Sequence, residues 1–325
     1  MNQQAITFTA PEQAELLTEA VDSKPLGPKE IAGRTLASVI SAGTELAVYT
    51  GVASYAKMPT VPGYAAVFEA EEVGAEVNGI RRGDRLLSMG GHRSRQRTSV
   101  EQVMMVPANL DSEKAVFARL MGVSMSTLTT TTARPPGKVV VTGLGPVGNL
   151  AAQIFQNCGY EVTGCDPSES RRTLATQAGI KHVLPAVPTS EGQFADLVLE
   201  CSGHEQAVVD GCRVVRKRGE VVLIGVPWQQ RSEVSAHTLL HAVFHNYIVL
   251  RSGWEWELPP RTTEFRAGSI FANFAAALNW LADGRINIEG LYAVAPPRDV
   301  QAVYQDIRHN RTTRLATVFD WTKLS

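Results

Sequence analysis

The sequence predicts an α/β protein in two parts, a β-rich module followed by a doubly wound parallel sheet with helices on its faces. Three observations lead there. The first 120 or so residues carry short β-type runs broken by glycine and proline. After the breaker cluster Ala133-Arg-Pro-Pro-Gly137 the texture becomes apolar strands alternating with helices of 10–13 residues, the pattern of a buried parallel sheet. The length of 325 residues suits two domains at roughly 150 residues each.

The β-type runs of the first part are Arg34–Ile40, Ala66–Val73, Asp84–Ser88 and Gln102–Val106, with turn signals at Pro62-Gly63, Asn78-Gly79 and Gly83-Asp84. In the second part Lys138–Thr142 (KVVVT) reads as a strand. Pro146–Cys158 then has helical spacing, with Val147, Leu150, Ala151, Ile154 and Phe155 on one face. Glu161–Cys165 is the next strand, followed by a helix that stops at Gly179. Further strands are expected at His182–Leu184, Ala195–Glu200, Glu220–Gly225 and Tyr247–Arg251, with a helix from about Glu205 to Val215. Two amphipathic helices, Phe271–Ala282 and Arg298–His309, and a last strand, Arg314–Phe319, follow. Six sheet strands already precede this tail, so it is expected to return to the first domain. The domains are then 1–122 with 262–325, and 123–261.

Composition narrows the function. Lys plus Arg is 31 against 32 for Asp plus Glu, a net charge of −1, which argues against a nucleic-acid partner. The hydrophobic fraction of 44% supports ordinary cores. No run of 18 apolar residues is present, so no membrane partner is expected. The start has neither a basic n-region nor an apolar h-region, and the expected location is cytoplasmic. The four cysteines, Cys158, Cys165, Cys201 and Cys212, are too few and too irregularly placed for a disulfide framework.

Gly143-Leu-Gly145-Pro146-Val147-Gly148 fits G-x-G-x-x-G, directly after a strand and at the start of a helix. The first glycine makes the tight turn, the second lets backbone approach a pyrophosphate, and the third lets helix and strand pack closely. The helix N-terminus adds N–H groups and a positive dipole end. Asp166 ends the second strand, 23 residues after Gly143, where a carboxylate can accept from both adenosine ribose hydroxyls and repel a 2′-phosphate. The expected cofactor is NAD rather than NADP. Arg171 and Arg172, a few residues on, would weaken that discrimination if one reached the ribose.

With these residues in view, the chain resembles the medium-chain dehydrogenase/reductase superfamily of the alcohol dehydrogenase type, over nearly its whole length. Ile40-Ser-Ala-Gly-Thr-Glu45, Val61-Pro-Gly-Tyr-Ala65, Gly83-Asp84-Arg85 and Val141–Gly148 stand where that family has its motifs. Leu199-Glu-Cys201-Ser202-Gly203 and Val222–Val226, with Gly225 and Val226, match two further cofactor-side strand ends. The resemblance implies a GroES-like β domain, a Rossmann domain, a nicotinamide cofactor and a small-molecule substrate in the cleft between, and a homodimer or tetramer. It also implies a role for Arg314 in reaching the pyrophosphate, or else a surface position.

The departures from the family matter as much. Ala42 replaces the cysteine ligand of the catalytic zinc, Tyr64 the histidine ligand, and Ala65 the neighbouring glutamate. No cysteine precedes Cys158, so the four-cysteine structural zinc lobe is missing. A methyl group cannot coordinate a metal and a neutral phenol is a poor zinc ligand. The resemblance is therefore to a zinc-independent subset with an S-A-G-T-E motif, and no zinc is expected.

Without a metal, side chains must move the proton and stabilise the oxyanion. Thr44 stands where the family has its relay hydroxyl, or else caps a turn. Glu45 beside it is either catalytic or a capping carboxylate. Tyr64 projects its hydroxyl into the cleft or fills vacated volume. His92 is expected near the pocket wall as a general acid or base, or else is an ordinary loop histidine. His237, His241 and His245 form one stripe at helical spacing and are read as a partly buried helix face. The expected function is zinc-independent hydride transfer between NAD(H) and a secondary alcohol or ketone of the polyol, sugar or secondary-metabolite class. A quinone or enoyl reductase using NAD(P)H and a non-catalytic NAD(H)-binding sensor or scaffold are the alternatives.

Overall fold

The structure of the chain, a computed structural model, describes residues 2–21, 24–266 and 268–324. Its contacts divide it into two units, residues 1–119, 274–282 and 292–325, and residues 120–273 and 283–291. Residues 120–122, 262–273 and 283–291, read from sequence as part of the first domain, thus belong with the second unit.

The first unit begins with a hairpin, β1 (Asn2–Ala10) and β2 (Gln13–Ala20), whose register pairs Ala5 with Leu17 and Ile6 with Leu16. The main sheet takes β3 (Glu30–Val39), β4 (Ala66–Val73), β5 (Arg85–Ser88), β6 (Arg95–Ser99) and β7 (Val103–Met105). Period-two alternation explains which side is core: on β4, Phe68 and Ala70 are buried while Glu69 and Glu71 between and beyond them are not. Ile31, Phe68, Ala70, Leu86 and Val103 close that core.

The second unit carries β8 (Lys138–Thr142), β9 (Glu161–Cys165), β10 (His182–Leu184), β11 (Ala195–Glu200), β12 (Val215–Leu223) and β13 (Val249–Ser252). They form one sheet in the order β10-β9-β8-β11-β12-β13, and every pair is parallel. This is the doubly wound order of the Rossmann fold, and the strand order reverses between β8 and β11. Val140, Val198, Val215 and Val221 are completely buried in its core, as strands covered on both faces require. The chain then returns to the first sheet with β14 (Tyr292–Ala295) and β15 (Ala316–Asp320), β15 lying antiparallel to β3.

Some element ends move for local reasons. β12 stops at Leu223 because the N–H groups of Ile224 and Gly225 both donate to the Glu200 carbonyl, at 2.8 and 2.7 Å, turning the chain across the end of β11. β13 begins later than expected because Tyr247 is the left-handed cap (φ 56°) of the helix Ala236–Asn246. The expected helix from Arg298 starts properly at Val300, since Pro296-Pro297 leads into a tighter turn over Pro297–Asp299. No helix among the described residues is long and apolar enough to cross a membrane.

Candidate active site

The glycine fingerprint sits at the reversal of strand order. Gly143 leaves β8 with φ +81°, a left-handed conformation that suits glycine, and its N–H donates to the Cys165 carbonyl at 2.8 Å. A Cβ on Gly148 would lie 1.7 Å from the Gly143 carbonyl oxygen, so the helix Pro146–Asn157 approaches the strand as only glycine permits. Gly145 differs: its backbone is extended and a Cβ there would meet nothing within 4 Å. Pro146 occupies the first helical position, and no side chain caps this terminus. The open space at Gly145, beside the uncapped N–H groups around Val147 and Gly148, is the shape an anionic pyrophosphate needs.

A buried carboxylate that sequence reasoning passed over holds the opposite wall. Glu200, fully buried at the end of β11, accepts from the Thr142 hydroxyl at 3.3 Å, the Ser202 N–H at 2.8 Å, the Gly203 N–H at 3.1 Å and the Ser202 hydroxyl. This clamp presses Ser202 against Gly143 and brings Cys201 beside Gly148. Gly225 in turn backs onto Gly203, with Val226 next to it and half exposed. The structure thus gathers Gly143, Gly145, Gly148, Cys201, Ser202 and Gly225 at one place. Burial and the neighbouring Glu200 push the Cys201 thiol well above its usual range, so it is inert wall. An acid just before Cys-Ser-Gly at a strand end was the signal for Glu200.

Asp166 ends β9 as expected, but its carboxylate is 2% exposed. One oxygen accepts from the Leu144 N–H of the glycine loop and the other from the Ser168 N–H, both at 2.8 Å. Arg171 lies over it, Nη1 at 3.5 Å from Oδ2. Arg172 donates instead to the carbonyls of Asp166 and Pro167, at 2.9 and 2.8 Å, and braces the loop.

In the first unit the helix Ala42–Tyr49 carries the S-A-G-T-E motif into a polar cluster. The Tyr64 hydroxyl is hydrogen-bonded to the Ser41 hydroxyl, and the guanidinium of buried Arg119 lies 4.6 Å from its ring centre. Burial pushes the Tyr64 phenol above its usual range, while Ser41, Arg119 and Thr44 pull the other way. Arg119 sits in the apolar stretch Phe117-Ala-Arg-Leu-Met121, and a lone charge in such a run was the available clue.

His92 requires correction, and Glu45 takes the capping one of its two expected roles. His92 does not line a pocket wall. It is completely buried, with Nδ1 2.7 Å from the Ser38 hydroxyl oxygen and Nε2 3.0 Å from Glu45 Oε2. Glu45 is itself buried and accepts from the Ser41 N–H at 2.7 Å and from the Tyr304 hydroxyl. The Trp321 indole N–H donates to the Ser38 hydroxyl at 2.8 Å, so Ser38 links Trp321 to His92 and His92 links Ser38 to Glu45. Glu45 therefore holds the start of the helix, and through it Ser41, against Tyr64.

The remaining expectations separate. His237, His241 and His245 are exposed rather than partly buried, their successive ring centres 6.0 and 4.2 Å apart. Arg314 is exposed just before β15, in the first unit. The donor chemistry around Tyr64 does not fit zinc. Positions 42 and 65 are methyl groups, both nitrogens of His92 are engaged, and among the described residues no group of three or more His, Cys, Asp or Glu is placed to hold a metal.

A family model described as a zinc-binding dehydrogenase matches residues 146–254. The L-threonine 3-dehydrogenase of Pyrococcus furiosus is 28% identical over 267 residues, covering 68% of this chain and 75% of that protein. Galactitol-1-phosphate dehydrogenase from Escherichia coli has a TM-score of 0.82 at 16% identity, over 98% of this chain and 99% of its own. Acetophenone reductase from Geotrichum candidum, solved in complex with NAD, has a TM-score of 0.79 at 16% identity, over 98% and 97%. The chain is thus similar in sequence to zinc-binding dehydrogenases across most of its second unit, and its fold is that of alcohol dehydrogenase-like proteins of the medium-chain dehydrogenase/reductase type.

Proposed function

We propose that the chain is an oxidoreductase that transfers hydride between NAD(H) and a secondary alcohol or ketone, of the polyol, sugar or secondary-metabolite class, without a catalytic zinc ion. The observation that carries this reading is the Tyr64 phenol, held between Ser41 and the buried Arg119 where relatives have a zinc ligand. The dinucleotide, when bound, supplies or accepts the hydride. Gly143–Gly148 receives its pyrophosphate, with Glu200 keeping Ser202 and Gly203 against the glycine turn and Asp166 marking the ribose end.

Tyr64 has the proton chemistry the reaction needs. Its raised pKa keeps the hydroxyl protonated at neutral pH, so it donates to a carbonyl oxygen as negative charge develops there. Arg119 beside the ring lowers the cost of the phenolate left behind, and the Ser41 hydroxyl hydrogen-bonds that oxygen throughout. Oxidation of an alcohol runs the same steps in reverse, with the phenolate as base. The test is turnover of a panel of secondary alcohols with NAD⁺, and of ketones with NADH, after exhaustive chelation. Turnover that appears only on adding zinc overturns the reading. Turnover of conjugated enones with NADPH, but of no alcohol, assigns the chain to a reductase instead.

A further inference from the structure

The discriminating carboxylate of the ribose end is not presented bare. Asp166 is 2% exposed, its two oxygens each hold a backbone N–H at 2.8 Å, and the guanidinium of Arg171 is the group above it, 47% exposed. At 3.5 Å the Arg171–Asp166 pair is an ion pair longer than a hydrogen bond, so the guanidinium is attracted but not locked. The charges of this pair cancel. The hydroxyls of Ser168 and Ser170, 2.9 Å apart on the same turn, add polar groups of no charge, and Glu169 between them is an exposed acid.

The adenosine ribose of a dinucleotide seated on the glycine loop reaches the end of the second strand, which is β9 here. A bare carboxylate there repels a 2′-phosphate. A carboxylate neutralised by an overlying arginine does not, and guanidinium binds phosphate with strong charge-assisted hydrogen bonds. Arg172 cannot serve, because its guanidinium already braces the loop carbonyls.

We infer that Arg171 makes this site accept both NAD(H) and NADP(H). With Arg171 turned outward, Asp166 takes the ribose hydroxyls of NAD. With Arg171 over the pocket, its guanidinium takes the 2′-phosphate of NADP and shields it from Asp166. The inference deepens the dinucleotide reading above and rests on it.

Calorimetric titration with NAD⁺, NADP⁺, 5′-AMP and 2′,5′-ADP tests it without turnover. The expected result is Kd values for NAD⁺ and NADP⁺ within about tenfold of each other, a difference under about 1.4 kcal/mol. Arg171→Ala, at a half-exposed position, is expected to weaken NADP⁺ and 2′,5′-ADP by about tenfold or more while NAD⁺ and 5′-AMP stay within about threefold. A wild-type preference for NAD⁺ above about 100-fold overturns the inference. So does an Arg171→Ala variant that binds NADP⁺ as well as the wild type. If none of the four ligands binds, the dinucleotide reading itself fails and takes this one with it.

Discussion

Nε2 of His92 lies 3.0 Å from Oε2 of Glu45, and neither side chain reaches solvent. Two residues that the sequence separates by the rest of the helix Ala42–Tyr49 and by β4 and β5 thus form a buried link between that helix and the loop before β6. The carboxylate takes three donors, from Ser41, His92 and Tyr304. Burial, reinforced by Glu45, holds the Tyr304 phenol well above its usual range, so its proton remains available as a donor. Phe8, Tyr49 and Tyr304 pack ring on ring around it, at 4.9–5.2 Å between centres, and exclude water.

Removing the carboxylate should therefore cost stability first. Glu45→Ala leaves the buried His92, Tyr304 and Ser41 donors without their acceptor, and the expected loss is about 3–5 kcal/mol in urea unfolding. Glu45→Gln keeps one acceptor oxygen and should lose less. A Glu45→Ala protein within about 1 kcal/mol of the wild type would show that the network is not structural.

Tyr64 makes the opposite prediction. Tyr64→Phe removes the hydroxyl and keeps the ring under Arg119, so the fold should hold while turnover falls by about 10²-fold. Steady-state kinetics and a thermal melt on one preparation separate the two effects. Unchanged kcat would reduce Tyr64 to a volume filler.

Metal dependence is a third check. If Tyr64 does the work of the ligand it replaces, exhaustive dialysis against a chelator leaves activity and melting temperature unchanged, and elemental analysis finds well under one zinc per chain. Stoichiometric zinc at the Tyr64 site would sink the metal-free mechanism.

The pattern of what was legible follows from range. The parallel sheet and the glycine loop were readable because their signals are local: apolar runs of five residues, glycines at fixed spacing, an acid at a strand end. Most of the Tyr64 neighbourhood was not. Arg119 meets Tyr64 across 55 residues and Tyr304 meets Glu45 across 259, and no periodicity encodes such meetings. His92 misled for the same reason. It stands between glycine and arginine in a polar segment, which reads as exposed loop, and it is buried only because the first strand and the C-terminal Trp321 close over Ser38 and its neighbours. Glu200 and Asp166 lay in recognised motifs, but that each would be enclosed by backbone N–H groups depended on how the loops folded over them.

The glycine loop offers a test in which folding and binding come apart. Gly148→Ala would put a methyl carbon 1.7 Å from the Gly143 carbonyl oxygen, forcing helix and strand apart, so both stability and dinucleotide affinity should fall. Gly145→Ala meets nothing within 4 Å and keeps an allowed extended backbone, so its melting temperature should stay close to that of the wild type. Its methyl group nevertheless occupies the space proposed for the pyrophosphate, and affinity should drop by about tenfold or more. Normal binding by Gly145→Ala would move the cofactor elsewhere.

Acid stability should be set in part by Glu220. It is nearly buried at the start of the inner half of β12 and accepts from the Thr131 hydroxyl at 3.0 Å, the Thr132 N–H at 2.6 Å, the Thr132 hydroxyl at 2.5 Å and Arg251 Nε at 2.9 Å. Burial alone would raise its pKa, but the Thr132 donors and Arg251 outweigh it and hold the carboxyl below the usual glutamate range. Because the folded pKa lies below the unfolded one, the stabilisation is complete above the unfolded value, about 4.3, and is lost as pH falls through the folded value. The melting temperature should therefore be level near neutrality and fall below about pH 4.3, a fall to which other carboxylates also contribute. Glu220→Gln should lose about 1–3 kcal/mol at pH 7, where the ion pair with Arg251 is intact, and show a shallower decline in acid. If the two proteins lose stability in parallel from pH 7 to pH 3, the tie between β12, Arg251 and the Thr131-Thr132 turn is not an ionised one.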